Sequence, residues 1–289
     1  MKQLVAALPI VLGGLVLVPS PSNGGETVTL YFNPSGGSGT WSEPAWVQPD
    51  CAGLVHIQFP DNDDHAVICE GVTCTLDVDP EVKTITLQEG ATLNIGSGRQ
   101  LTLNDPDGTS TIGTDAVINL DGTITIELGV AQVDHTFAGD GEIVGDDSGA
   151  RIEIDSSQKL INEITIRGIM EIARINDPGT GEFENRGTVH ADRSGTLKLS
   201  VWIISDVSPG GGVTPQWKVT NSGARLEMAA SCDNPGFCSS GLIGDFLVSR
   251  GKLKVTSTFA TEGVLTQQLG GVIEVPDGQT CVFSFQPES

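Results

Sequence analysis

The sequence predicts an all-β chain folded as one solenoid of stacked coils, and three observations carry that expectation. First, an apolar–polar–apolar triplet recurs eight times, as Leu93-Asn94-Ile95, Ile118-Asn119-Leu120, Ile152-Glu153-Ile154, Met170-Glu171-Ile172, Leu197-Lys198-Leu199, Leu226-Glu227-Met228, Leu253-Lys254-Val255 and Ile273-Glu274-Val275. The first positions lie 18 to 34 residues apart. That spacing, about 26 on average, falls in the range of roughly 20–50 residues that marks stacked repeats. Second, the alternation has the period of two of a strand with one buried and one wet face. Third, the chain beyond its N-terminal segment carries no convincing run of apolar residues at helical spacing. It is rich in Thr and in Gly, of which there are 37, and turn signals arrive at the short intervals of an all-β protein.

Taken in order, residues 1–22 read as a secretory signal. Lys2 gives a positive start, Leu4 to Val18 is uncharged and apolar, and small residues follow at Ser20, Ser22 and Gly24. Cleavage fits after Ser22 or Gly24. The run is shorter than the ~20 apolar residues of a membrane span, and an uncleaved anchor is the alternative. With no Cys near the cleavage region, a lipid anchor is disfavoured. Nothing after the signal has the length and apolarity of a transmembrane helix. The expected location is outside the cell, secreted or on the outer surface.

Residues 23–80 differ from the repeats and read as an N-terminal lead-in and cap, holding Trp41, Trp46 and the run Asp61-Asn62-Asp63-Asp64. An open solenoid end would expose strand edges and a bare core. Residues 81–289 read as the solenoid, with about 20–30 residues and three short strands per coil. The clearest coil is Thr84 to Asn104. There Ile85-Thr86-Leu87, Leu93-Asn94-Ile95 and Leu101-Thr102-Leu103 follow at intervals of eight, separated by the turn-forming Gln88-Glu89-Gly90 and Gly96-Ser97-Gly98-Arg99. Residues 105–111 lengthen one turn. Larger protruding loops are expected near 134–147, 208–216 and 229–241, and binding surfaces often sit on such insertions. A pair of antiparallel sandwiches is the alternative. Its hairpin signals Asp107-Gly108, Asp121-Gly122, Asp140-Gly141 and Asp277-Gly278 do not lie between equal strands in a repeating way, apart from Asp121-Gly122.

Six cysteines suit an oxidising compartment. Sequence proximity favours Cys69–Cys74 and Cys232–Cys238, leaving Cys51 and Cys281. Cys51 with Cys69 or Cys74 is an open alternative, because a Cys51–Cys281 bond would join opposite ends of an elongated stack. No CxxC pair supports zinc. The formal charge is −22, and −23 without Lys2. So acidic a surface argues against nucleic acid and anionic membranes as partners.

Several stretches resemble secreted bacterial right-handed parallel β-helix proteins of the autotransporter-passenger and filamentous-haemagglutinin kind. They are Gly39-Thr40-Trp41-Ser42-Glu43-Pro44-Ala45-Trp46, Val82-Lys83-Thr84-Ile85-Thr86-Leu87, Gly90-Ala91-Thr92-Leu93-Asn94-Ile95 and Arg99-Gln100-Leu101-Thr102-Leu103. Later, Gly181-Glu182-Phe183-Glu184-Asn185-Arg186-Gly187-Thr188-Val189 and Ser194-Gly195-Thr196-Leu197-Lys198-Leu199 are similar to the recurring Asn-x-Gly and Gly-x-Leu pattern of such coils. The resemblance implies a right-handed solenoid, in line with the handedness of parallel crossovers, and a role in surface display, adhesion or envelope structure. Unlike autotransporters, the sequence shows no membrane-barrel domain.

No catalytic constellation rises above background. Galacturonan-hydrolysing relatives would bring Asn-Thr-Asp, Asp-Asp and Gly-His-Gly; only the pair Asp146-Asp147 is present. Paired carboxylates serve hydrolysis when held about 5–10 Å apart, yet 37 acids make chance pairs common. Asp105-Pro106-Asp107-Gly108 and Asp61-Asn62-Asp63-Asp64 offer oxygen ligands of the kind Ca²⁺ takes, against the simpler reading of self-capped turns. His56, His65, His135 and His190 show no metal-binding spacing; His65 follows the Asp run and His190 fits an exposed strand slot. Gly-x-Ser-x-Gly is missing. Trp217, beside the Gly-rich loop, is the best single candidate for an exposed carbohydrate platform, with a packed loop anchor as the competing role. The expected function is a structural or adhesion-type protein with no identifiable catalytic, cofactor or metal residues. Its expected partners are extracellular polysaccharide or a surface protein. A polysaccharide lyase, glycoside hydrolase or carbohydrate-binding protein is the alternative. An ice- or mineral-binding face built on Thr84-Ile85-Thr86 and Thr123-Ile124-Thr125 is a third.

Overall fold

The computed structural model describes residues 27–55, 58–127, 134–155, 158–175, 181–204, 214–228, 241–243, 245–256, 259–262, 264–268, 270–275, 277 and 281–284. These hold thirty strands and no helix. One strand shows why. Thr92–Ile95 turns Leu93 and Ile95 inward, at most 1% exposed, and Thr92 and Asn94 outward. Such a strand cannot bury its apolar face alone. The strand Val117–Leu120 lies parallel beside it, with Ile118 level with Leu93 and Leu120 with Ile95. Repetition of that step yields an apolar column from Leu30 to Val255, the continuous core of a stacked-repeat protein.

The chain visits three walls in turn. The first wall stacks Thr29–Phe32, His65–Ile68, Thr84–Leu87, Thr109–Ile112, Asp134–Gly139, Lys159–Asn162, Glu182–Asn185 and Trp202–Ile204. A three-stranded parallel sheet, Gly241–Ile243, Phe259–Glu262 and Cys281–Ser284, follows in the last coils. The second wall runs from Ser38–Thr40 through Thr73–Thr75, Thr92–Ile95 and Val117–Leu120 to Leu265–Gln267. The third runs from Glu81–Val82 through Gln100–Leu103 and Thr123–Ile126 to Gly271–Glu274. Every pairing between coils is parallel, giving the arrangement of a β-helix-like solenoid. First-wall partners in successive coils are 19 residues apart at His65–Thr84 and 27 at Thr111–Ala138.

The two long strands, Glu142–Ile154 and Thr165–Arg174, each pass from the second wall to the third. Gly145 and Gly168 stack at that corner. Gly168 has φ +97°, and a Cβ there would lie 2.1 Å from the Gly145 carbonyl oxygen, so only glycine passes without displacement.

Two expectations are corrected. The stack starts at Thr29, which pairs with His65, and not at residue 81. Its end is closed by an antiparallel addition, Trp46–Gln48 on Thr29–Phe32 and Leu54–Val55 on Trp46–Gln48. Trp41 and Trp46 pack there fully buried, with ring centroids 4.7 Å apart and the Trp46 Nε1–H donating to the Trp41 carbonyl at 2.8 Å. Residues 134–147 are not a protruding loop. Asp134–Gly139 is a first-wall strand and residue 142 begins the next, because its polar residues occupy outward slots while His135 and Phe137 point inward. The departure from regular stacking comes slightly later, between Asp146 and Arg151, where the register shifts. The recurring triplets fall on two walls. The first two lie on the second wall, the other six on the third. Ile152 is level with Ile172, not Met170, so its triplet sits two residues out of step. Residues 208–213 and 229–240, and the signal segment, lie outside the described residues.

Candidate functional surfaces

A parallel stack places equivalent residues of successive coils about 4.8 Å apart, so the outward side chains form columns. Two kinds of column divide the molecule. On the third wall Arg151, Glu171, Lys198, Glu227, Lys254 and Glu274 occupy one column in register. Their signs alternate strictly. Lys198 Nζ lies 2.9 Å from Glu171, Lys254 Nζ 3.4 Å from Glu227, and Arg151 3.6 Å from Glu171. Burial works against the Glu171 charge, but Lys198, Ser200 and Arg151 outweigh it and hold the carboxyl below its ordinary range.

The other two walls carry comparable clusters in this half. On the second wall Arg167 binds Glu142 through two hydrogen bonds of 2.7 Å and reaches Asp192 at 3.1 Å. Hydrogen bonding from Arg167 holds Glu142 below its usual range. On the first wall Glu184, 2% exposed, accepts Lys159 at 3.1 Å and Arg186 at 2.6 Å. Lys159 also meets Asp134 at 3.0 Å.

Before Glu142 the second wall is different. Its first four strands present Ser38 and Thr40, Thr73 and Thr75, Thr92 and Asn94, then Val117 and Asn119. None is charged and none is buried. The Asn119 Nδ2 donates to Asn94 Oδ1 at 2.8 Å, and Asn94 Nδ2 to Thr75 Oγ1 at 3.3 Å, a hydrogen-bonded line along the stack. The nearby corner is acidic. Asp77 accepts the Ser42 N–H at 3.0 Å and bonds the Ser42 hydroxyl.

The core also holds polar groups that periodicity does not reveal. His135 is fully buried and its Nε2 lies 3.0 Å from Ser110 Oγ, which itself accepts the Ile85 N–H at 3.1 Å. The direction of the Ser110–Nε2 bond follows the ring tautomer, since a hydroxyl oxygen can accept two hydrogen bonds and still donate one. Burial lowers the His135 pKa to about 4. One coil pair further on, Asn162 Nδ2 donates to Asn185 Oδ1 at 2.9 Å and to the Ile164 carbonyl at 3.1 Å.

The residues singled out from sequence are dispersed. Cys51 is bonded to Cys69, tying the cap to the first wall, so the favoured Cys69–Cys74 pair does not form and Cys74 is free and buried. Cys69 follows directly on the first-wall strand His65–Ile68 and Cys74 lies in the second-wall strand Thr73–Thr75, both buried in the core. Cys232 and Cys238 lie outside the described residues, and Cys281 belongs to the last strand, Cys281–Ser284. Asp146 pairs with Arg193, while Asp147 accepts Ser148 Oγ at 3.1 Å and the Gly149 N–H at 3.2 Å. Asp64 accepts Val28 N–H at 3.3 Å and Asp61 N–H at 3.2 Å, and burial raises its pKa. Asp107 Oδ1 accepts the Asp134 N–H at 3.4 Å. Among the described residues no three His, Cys, Asp or Glu side chains are grouped to hold a metal ion. His65 Nδ1 meets Thr84 Oγ1 at 2.7 Å, and half-buried His190 meets Thr220 Oγ1 at 2.7 Å; His56 is outside the described residues. Trp217 is no platform, being 1% exposed and stacked on Phe246 at 6.0 Å. Thr84-Ile85-Thr86 and Thr123-Ile124-Thr125 lie on different walls, and Thr84 and Thr125 are buried.

No known family model, curated protein or solved structure matches this chain.

Proposed function

We propose that this chain is an exported, non-catalytic β-helix, right-handed by the crossover rule, acting at or beyond the cell surface as a structural or adhesion element. The observation that carries the reading is the registered stacking of outward side chains. It makes each wall a repeating linear surface, with alternating ion pairs late on the third wall and neutral columns early on the second. Such a body suits contact along its length with an extended partner, whereas small-molecule sites are concave. The signal-like segment and the local resemblance to autotransporter and haemagglutinin coils support the same placement.

The test has two parts. Expression of the full chain with its own N-terminus is expected to give an extracellular or surface-bound product beginning near Asn23 or Gly25. Incubation of that product with soluble and insoluble polysaccharides, with Ca²⁺ or EDTA, is expected to give retention without new reducing or unsaturated ends. Saturable release of either kind of end would sink the non-catalytic reading.

A further inference from the structure

Building on the adhesion reading, we propose that the neutral stretch of the second wall is the contact face, and that its partner is an uncharged polysaccharide lying along the stack. The face consists of Ser38, Thr40, Thr73, Thr75, Thr92, Asn94, Val117 and Asn119, two columns across four strands.

Three observations point to this face: exposure separates it from the early first wall, which also shows no Asp, Glu, Lys or Arg, and charge separates it from the third, which opens on Glu81. The first is exposure. All eight side chains reach solvent, whereas on the first wall Val67 and Thr84 are each 7% exposed, and on the third Thr125 is 2% exposed. The second is charge. In a chain of formal charge −22, four consecutive strands display none, and the same two columns become charged at Glu142 and Arg167. An anionic polymer would meet repulsion from the surrounding acids. A cationic one would be drawn to those acids and away from this face. An uncharged one meets neither effect. The third is hydrogen-bonding chemistry. A Thr or Ser hydroxyl both donates and accepts, as a sugar hydroxyl does, and an Asn amide does both. Thr is stiff at χ1, and the Asn119–Asn94–Thr75 line fixes the amides. These groups are oriented before contact, which lowers the ordering cost of binding. The methyls of Thr and Val117 offer apolar contact to sugar C–H faces.

The strand spacing of about 4.8 Å is close to the length of one hexopyranose unit, so the polymer would set one sugar per coil along the solenoid axis. The flatness of the face favours a polymer held in a sheet or crystal over a short free oligosaccharide.

The experiment is a depletion assay with the full chain on microcrystalline cellulose, chitin and insoluble β-1,3-glucan, with polygalacturonate as the anionic comparison. Four proteins are compared: the native chain, Thr92→Lys and Asn94→Asp on the face, and Thr188→Lys. Thr188 lies in the same column as Thr92 but beyond Glu142. Asn94→Asp is nearly isosteric and keeps the acceptor for Asn119, so it folds even if the lysine variant does not. The expected result is retention of the native chain on at least one neutral polymer. Thr92→Lys and Asn94→Asp should then bind roughly tenfold more weakly or worse, since a charge pressed against a neutral partner goes unpaired. Thr188→Lys should bind as the native chain does. Equal retention of all four would overturn the assignment to this face and leave the adhesion reading standing. If no neutral polymer retains the native chain, the polysaccharide proposal falls, and binding to ice, measured by thermal hysteresis, or to a surface protein would name what replaces it.

Discussion

Acidification between pH 6.5 and 5 is expected to weaken this fold through His135. The ring is fully buried in the first wall, level with Leu160 of the next coil, with the Phe137 ring edge-on at 5.7 Å. Its Nε2 is hydrogen-bonded to Ser110 Oγ, and protonation of the ring would place charge in the core. In the unfolded chain the histidine titrates near 6.5, whereas burial lowers the folded value to about 4. Between those values the unfolded state binds the extra proton, so stability is complete above pH 6.5 and falls as pH drops towards 4. The lowering corresponds to roughly 3 kcal/mol in all, and the slope approaches about 1.4 kcal/mol per pH unit.

The assay is urea unfolding followed by circular dichroism at several pH values, for the native chain and His135→Gln. The variant is expected to be less stable at pH 7.5 because the ring's packing is lost, yet flatter with pH. Half-buried His190, also lowered by burial, leaves a residual slope of the same sign. Carboxylates held low, such as Glu142 and Glu171, release their stability only as pH falls past about 4.5. Asp64 and Glu182, raised by burial, act with the opposite sign in both proteins, so His135 is read from the difference between the two slopes. Equal slopes for the two proteins would refute the argument.

Three further outcomes follow from the same geometry. Lys198→Glu puts three acids in succession at 171, 198 and 227; it should cost about 1–2 kcal/mol, more than Lys198→Thr, with a difference that shrinks in high salt. Equal costs for the two would show that the ladder is not electrostatic. Gly168→Ala meets the Gly145 carbonyl oxygen at 2.1 Å from a left-handed backbone and should lower stability by about 2 kcal/mol or more in thermal melts. Replacing Cys51 and Cys69 with Ser opens a bridge with a sequence separation of 18 and should cost about 3 kcal/mol by loop-closure entropy. An unchanged melting temperature would mean that the cap is held by Trp41 and Trp46 alone.

The repeating strand was legible in the sequence because alternation is a local property. Leu93 and Ile118, a coil apart, could be recognised as equivalent and do stack. Equivalence further along depends on how many residues each corner consumes, and local alternation does not record that. The register shift between Asp146 and Arg151 puts Ile152 beside Ile172, although the triplet pattern matched it with Met170. Acidic and glycine-rich composition suggested a loop at 134–147, when those residues were filling the outward slots of two strands. Cys69 and Cys74 are close in sequence, but they lie on either side of a corner, and the cap brings Cys51 to Cys69. His135 was unreadable for a related reason, since the partner that makes a core histidine tolerable, Ser110, lies 25 residues away.

Register also decides what the outward residues are able to be. When equivalent positions sit about 4.8 Å apart, a column of like charges repels along its whole length. The stack admits two remedies, alternating signs or no charge at all, and this chain uses the first on the late third wall and the second on the early second wall. Electrostatics therefore accounts for the absence of charge at Thr73, Thr92 and Val117 without any ligand. It does not account for their exposure. The stability requirement would be met equally well by covered neutral side chains, as Thr84 and Thr125 show on the neighbouring walls. An uncovered, amide-aligned neutral face is one remedy among several that folding would accept, and the one among them that leaves hydroxyls and amides free to meet a partner.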